Sequence, residues 1–224
     1  MRLNDDLTVP TFVSGSRLDW QQSPAPGVAR RMLFRIGEEK ARATSIVRYA
    51  PGSRFAAHVH AGGEEFLVLD GVFQDGAGDY PAGTYVRNPP GTSHAPAAAD
   101  GATIFVRLWQ FRAEDQSPVV RLPGEGRRVE PRPGGDKAII LFEDGHEEVR
   151  LERWRRDAAI LVDNPHGLEF LLVSGSVTVA GEALAPQDWG RLPAGMALEA
   201  LAGEDGAHIW IKLGPLLQDG VCPF

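Results

Sequence analysis

The chain has 224 residues, 23 Lys and Arg against 30 Asp and Glu, a net charge of −7 and one cysteine, Cys222. That balance argues against a nucleic-acid surface, and a lone cysteine excludes an internal disulfide, a Cys-based zinc finger and a CxxC redox site. No apolar run approaches the ~18 residues of a membrane span, and the opening MRLNDDLTVPTF has no apolar signal core, so a cytoplasmic protein without a membrane partner is expected.

Residues 1–30 lack strong periodicity and read as an extended N-terminal arm that wraps one barrel, with Phe12 or Trp20 as apolar anchors. Short apolar runs follow: ATSIVRYA (43–50), EFLVLDGVF (65–73), TYVRN (84–88) and ATIFVRLWQF (102–111). None has a 3.6-residue period, and the breakers between them are dense, with 26 Gly and 17 Pro in the chain. Short strands with turn signals every ~8–12 residues predict an all-β sandwich or barrel. The apolar-poor stretch SPVVRLPGEGRRVEPRPGG (117–135) reads as a linker, which leaves one domain over 31–116 and another over 136–224. The basic run Arg150, Arg153, Arg155 and Arg156 is interleaved with Glu and Asp, so it reads as a solvated strand face.

The two domains share a framework. Shifting the sequence by 104 residues lays Gly71 on Gly175, Pro89 on Pro193, Gly91 on Gly195, Phe66 on Phe170 and Glu65 on Glu169, with no gap between 58 and 94. Turn positions need Gly or Pro for backbone reasons, so their recurrence reports a shared fold.

The first copy alone carries candidate metal ligands. His58 and His60 are two apart, a spacing that puts both imidazoles on one face of a strand. Glu64 follows across a Gly-Gly turn, and His94 follows a Pro-Pro-Gly turn on a separate strand. Three imidazoles and a carboxylate suit one divalent ion such as Zn, Fe, Mn, Ni or Cu. Glu65 has a counterpart at Glu169 and Glu64 has none, so Glu64 is the expected ligand and Glu65 an outward or rim carboxylate. The second copy has Val162, Asn164, Leu168 and Leu198 at the four positions and is expected to bind no metal. His166 lies near these positions but out of register with them, and His146 and His208 read as surface and strand residues.

The blocks G-x5-H-x-H-x3-E-x6-G (from Gly52) and G-x5-P-x-G-x2-H (from Gly83) resemble the two cupin motifs; Ala98 stands where an Asn is common. The string HVHAGGEEFLVLDGVFQDGAGDYPAGTYVRNPPGTSHAP resembles more closely the cupin-like domain of ChrR anti-sigma factors. The resemblance implies a bicupin of two tandem double-stranded β-helix (jelly-roll) barrels, with zinc on His58, His60, Glu64 and His94. ChrR itself also carries a helical zinc domain with CxxC spacing that grips a sigma factor. No such motif occurs here, so a stand-alone duplicated cupin is expected, with a sigma factor only as an alternative partner.

Two chemistries follow from this reading. With Fe, the site would suit a dioxygenase acting on a small carbonyl or hydroxy-ketone molecule; Mn or Ni would suit decarboxylation or isomerisation. Pocket candidates are Phe55, Phe66, Tyr85, Arg87 and Trp109, with Arg48 and Arg107 nearby and Arg87 as an anion contact. Alternatively, a zinc closed by four protein ligands would make a sensor or regulatory module. The metal-less copy is expected to cover sheet edges or build a homodimer face.

Overall fold

The computed structural model describes residues 1–38 and 40–216; Cys222 lies outside the described residues. The fold is all-β: the described residues contain strands and a single short 3-10 turn, Gly15–Arg17. No helix among them is long and apolar enough to cross a membrane. Every strand pairing is antiparallel. The chain divides into two compact units, one of Met1–Asp5 and Asp19–Gly124, the other of Asp6–Leu18 and Glu125–Leu216.

In the first unit the main sheet runs through strands Val28–Gly37, Ala41–Tyr49, Ala102–Leu108, Glu64–Asp75, Tyr85–Asn88 and Val119–Arg121. In the second unit the order is Gly135–Glu143, Glu148–Trp154, Leu198–Leu213, Leu168–Val179, Trp189–Leu192 and Thr11–Val13. Strands Glu64–Asp75 and Leu168–Val179 start 104 residues apart, as do Tyr85–Asn88 and Trp189–Leu192, and each pair holds the same register.

Side-chain alternation along these strands sorts two faces. Phe66, Val68, Val86, Ile104 and Val106 point into one core together with Phe73, Tyr80, Ala98 and Ala102. Their neighbours Glu65, Leu67, Tyr85, Arg87, Phe105 and Arg107 point to the opposite face and are buried there as well. In the second unit, Val162, Leu168, Phe170, Leu192, Leu198, Val179 and Leu184 share a single apolar core. Each fully buried aliphatic side chain contributes roughly 1.5–3 kcal/mol through its removal from water.

One glycine pair is fixed by geometry. Gly71 has φ +71° and Gly175 has φ +81°; a Cβ there would sit 2.2 Å from Gly101 O and 2.1 Å from Gly206 O respectively. Both the left-handed backbone and the close carbonyl exclude a side chain, which explains why this glycine recurs at the repeat spacing.

The N-terminal reading needs correction. Residues 1–30 do not wrap one barrel as a single arm. Arg2–Leu3 pairs with Val28–Gly37 in the first unit, whereas Thr11–Val13 pairs with Trp189–Leu192 in the second. Each short segment is held by an open strand edge that would otherwise expose unpaired N–H and C=O groups. Both expected anchors pack: Phe12 lies 6.3 Å from Phe170, and Trp20 faces the Arg31 and Arg48 guanidiniums, each 4.3 Å from the ring. The segment read as a linker contains two strands, Val119–Arg121 and Arg127–Val129, which pair with Tyr85–Asn88 and Gly135–Glu143.

Candidate metal centre

The three histidines of the first unit sit on a separate two-stranded ribbon. His58–His60 pairs with Thr92–His94 so that His58 stands directly opposite His94. The His60 carbonyl accepts from Gly63 N at 3.1 Å and Gly91 N at 2.9 Å, tying both turns to one residue. The three ring centroids lie 4.7–5.3 Å apart, and one ligand nitrogen from each ring lies within 4.8 Å of the others. Glu64, at the start of the longest strand of this unit, brings Oε2 to 3.5 Å from Nε2 of both His60 and His94. Asn88, opposite Glu64 in register, donates to that same oxygen at 3.1 Å.

The residues fit a divalent cation on a direct test. The Nε2 atoms of His60 and His94 are buried and make no hydrogen bond. Leaving two buried ring nitrogens unsatisfied costs ~1–3 kcal/mol each, and both point toward the Glu64 carboxylate. Burial, reinforced by His94 and His58, holds His60 down to about 3, so its imidazole is neutral and its lone pair free at pH 7. Burial also lowers His94, opposed by its hydrogen bond to Asp75. Glu64 is pushed up to about 7, chiefly by burial, while Asn88 pulls it back down. Neutral imidazoles together with a desolvated carboxyl form a donor set for one divalent ion. His58 is the solvent-side member of the cluster, and its Nδ1 lies 3.2 Å from the Ala56 carbonyl.

Phe55, half-buried, contacts Tyr49 edge-on at 5.6 Å; Tyr49 contacts Phe73 at 5.4 Å, and Phe73 lies 5.8 Å from His94. This aromatic chain forms the apolar surroundings of the histidines. Phe66 lies deeper, against Phe73 at 4.9 Å, as core. Trp109 stacks on the Gly62–Gly63 turn: a Cβ on Gly62 would come within 2.2 Å of its ring, and Trp109 N donates to Gly63 O at 3.1 Å. It therefore braces the turn between His60 and Glu64.

Tyr85 and Arg87 must be withdrawn from the pocket. Strand alternation places both on the face opposite the histidines, where Tyr85 donates to Glu65 Oε1 and Arg87 pairs with Asp115. Arg107 Nη1 donates to Glu65 Oε2 at 2.6 Å, and the Arg87 guanidinium lies over Phe111 at 4.5 Å. Glu65 is likewise no rim carboxylate: it is 1% exposed, at the centre of this ionic network. Arg48 lies against Trp20.

Sequence reading missed Asn88, Asp75 and Tyr80. Asp75 Oδ2 lies 3.2 Å from His94 Nδ1, and Tyr80 donates to Asp75 Oδ1 at 3.1 Å. Their signal lay in the repeat itself, because the positions 104 residues on are Leu192, Val179 and Leu184, all apolar and buried. In the second unit Val162 stands opposite Leu198, the register of His58 and His94. Asn164, at the position of His60, spends its side chain on the carbonyls of Pro193 and Met196, each at 2.9 Å, and accepts from Gly167 N at 2.7 Å. It closes by hydrogen bonds the turn that carries no ligand. His146 and His166 are exposed, and among the described residues neither joins the cluster of His58, His60 and His94.

Residues 9–112 match the ChrR cupin-like domain family. Solved structures with the cupin fold match nearly the whole chain. This chain has the cupin fold. Among the structures similar to this chain is a protein of Nostoc punctiforme provisionally assigned as a dioxygenase, 15% identical, with a TM-score of 0.73 over 95% of this chain and 85% of that one. The pirin YhhW of Escherichia coli, solved in complex with nickel(II), is 13% identical, with a TM-score of 0.67 over 93% of this chain and 100% of its own. Bacillus subtilis oxalate decarboxylase, with Mn(II) centres, is 16% identical, with a TM-score of 0.63 over 93% of this chain and 78% of its own. No curated protein sequence matches this chain.

Proposed function

We propose that this protein is a metal-dependent bicupin whose first unit holds one divalent ion on His58, His60, Glu64 and His94 and acts as a dioxygenase on a small carbonyl or hydroxy-ketone compound. The observation that carries the reading is the convergence of two unsatisfied, buried Nε2 atoms on Glu64 Oε2, at 3.5 Å from each. The recurrence of strand order and register at a constant spacing supports two barrels, only one of them chemically equipped.

When bound, a metal such as Fe(II) would supply a Lewis acid and a template for orienting reactants. The chain's own residues supply the remainder. Three imidazoles and one carboxylate bind; Asn88 orients the carboxylate; Phe55, Tyr49 and Phe73 exclude water from an apolar flank. His58 on the solvent side leaves an approach for a small molecule. In the net reaction, dioxygen is the oxidant. A carbon–carbon bond beside a carbonyl breaks, the O–O bond breaks, and each product gains one oxygen atom. The likeness to the provisionally assigned dioxygenase of Nostoc supports this choice of chemistry.

A second reading rests on the match of residues 9–112 to ChrR cupin-like domains. Here the same four side chains close around zinc, leaving no vacant position, and the unit serves as a sensor or regulatory module. Elemental analysis of protein purified without added metal separates the two. It is paired with oxygen uptake after Fe(II) reconstitution, using a panel of β-diketones and small aromatic hydroxy-ketones. One iron per chain with uptake supports the enzyme; one tightly held zinc without uptake supports the sensor.

A further inference from the structure

The geometry points to Asp75, on the opposite end of the strand that begins with Glu64, as the positioning residue that sets the tautomer of His94 for metal binding. This rests on the reading of His94 as a ligand. A carboxylate accepts and does not donate, so the 3.2 Å contact from Asp75 Oδ2 to His94 Nδ1 places the ring proton on Nδ1 and leaves the Nε2 lone pair toward Glu64 and His60. Asp75 is itself held. Its Oδ1 accepts from Ala77 N at 2.8 Å, Gly78 N at 3.2 Å and Tyr80 OH at 3.1 Å, so its other oxygen is fixed on the imidazole.

The internal repeat gives independent support. The second unit has lost His94 to Leu198, and with it Asp75 to Val179 and Tyr80 to Leu184. The three replacements sit in one apolar core, and Leu184 pairs with Val177 as Tyr80 pairs with Phe73. The second hairpin turns through Ala180 at φ +51° and Gly181 at φ +82°, whereas neither Gly76 nor Ala77 has a positive φ. Asp75 Oδ1 therefore serves its own turn, while Oδ2, the oxygen on His94, has no part in that turn.

Asp75→Asn provides a test with a built-in direction. Three donors fix the carbonyl oxygen of the new amide at the Oδ1 pole, so its NH2 must face His94 Nδ1. The ring then accepts at Nδ1 and carries its proton on Nε2, the wrong tautomer for binding. Imidazole 15N shifts of the metal-free protein, with His94→Gln to assign the signal, read the tautomer directly. Competition with a chromophoric chelator for Zn(II) and Co(II) reads affinity. The expected result is a switch of His94 from Nδ1–H to Nε2–H in Asp75→Asn and a 10- to 100-fold loss of metal affinity. Tyr80→Phe, which leaves the contact to His94 in place, should stay within about threefold of the parent. Parent-like affinity or an unchanged tautomer in Asp75→Asn overturns the inference while leaving the ligand set standing. A parent protein that takes up neither ion overturns the ligand assignment and this role with it.

Discussion

Asn88 Nδ2 donates a 3.1 Å hydrogen bond to Glu64 Oε2, the same oxygen that faces two histidines. The bond favours the charged carboxylate against the cost of burial. Asn88→Ala should therefore weaken metal binding by about tenfold without changing stoichiometry at saturation, as measured by chelator competition. Asn88→Asp, which sets a second acid beside Glu64, should fail to rescue it.

His58→Ala or His94→Ala should each abolish stoichiometric metal, as measured by elemental analysis after dialysis. Because both residues lie on the outlying ribbon and not in the main sheet, circular dichroism of the metal-free variants should match that of the metal-free parent. Retention of one ion per chain in either variant would remove that histidine from the site.

Neighbouring glutamates should behave oppositely. Glu64→Ala removes a metal-facing oxygen and should lose metal with little effect on the metal-free fold. Glu65→Ala leaves Arg87 and Arg107 without the carboxylate they share and should cost about 3–5 kcal/mol in denaturant unfolding, while metal stoichiometry is kept.

In the second unit, Leu198 is fully buried where the first unit has a histidine. Leu198→Ala should destabilise that unit by about 2–5 kcal/mol, seen as an earlier unfolding transition, with metal binding unchanged.

His208 lies in the long strand Leu198–Leu213, opposite Arg153 on one side and Ser174 on the other, with Lys137 close by. Asp136, Arg155, Arg156, Glu204 and Asp205 line the same surface hollow. Burial, then Arg153 and Lys137, holds His208 below its ordinary value of 6.5. The unfolded chain therefore binds more protons there as pH falls below 6.5, and stability is lost in that direction. His208→Gln should unfold less steeply with acidification from pH 6.5 to 5 than the parent, compared by melting temperature.

Much of this is legible in the sequence. Ligand spacing, glycine turns and the repeat all follow local backbone rules that act through a few residues at a time, as Gly71 and Gly175 illustrate. What stayed hidden was orientation across the sheet. Tyr85 and Arg87 read as pocket residues because aromatic and basic side chains suit substrates. Their face, however, was set by one-residue alternation from Val86, and that face is the one where Asp115 arrives from a distant loop. Asp75 was hidden for a related reason: its partner His94 is 19 residues away, and the two segments meet through the pairing of Ala97 with Gln74.

The pairing of Thr11–Val13 with Trp189–Leu192 sets an order of events during synthesis. Ser16 and its hydrogen-bond partner Asp188 are 172 residues apart, so the leading segment leaves the ribosome long before its edge exists. Residues 19–124 draw their contacts from chain already made, whereas the second unit lacks its edge strand until the early strand returns to it. Closing so long a loop is slow, and once made the edge at Trp189–Leu192 is exposed to other nascent chains until the early strand pairs with it. The ligand-bearing unit can thus mature first, and its partner is the half that chaperones would have to guard.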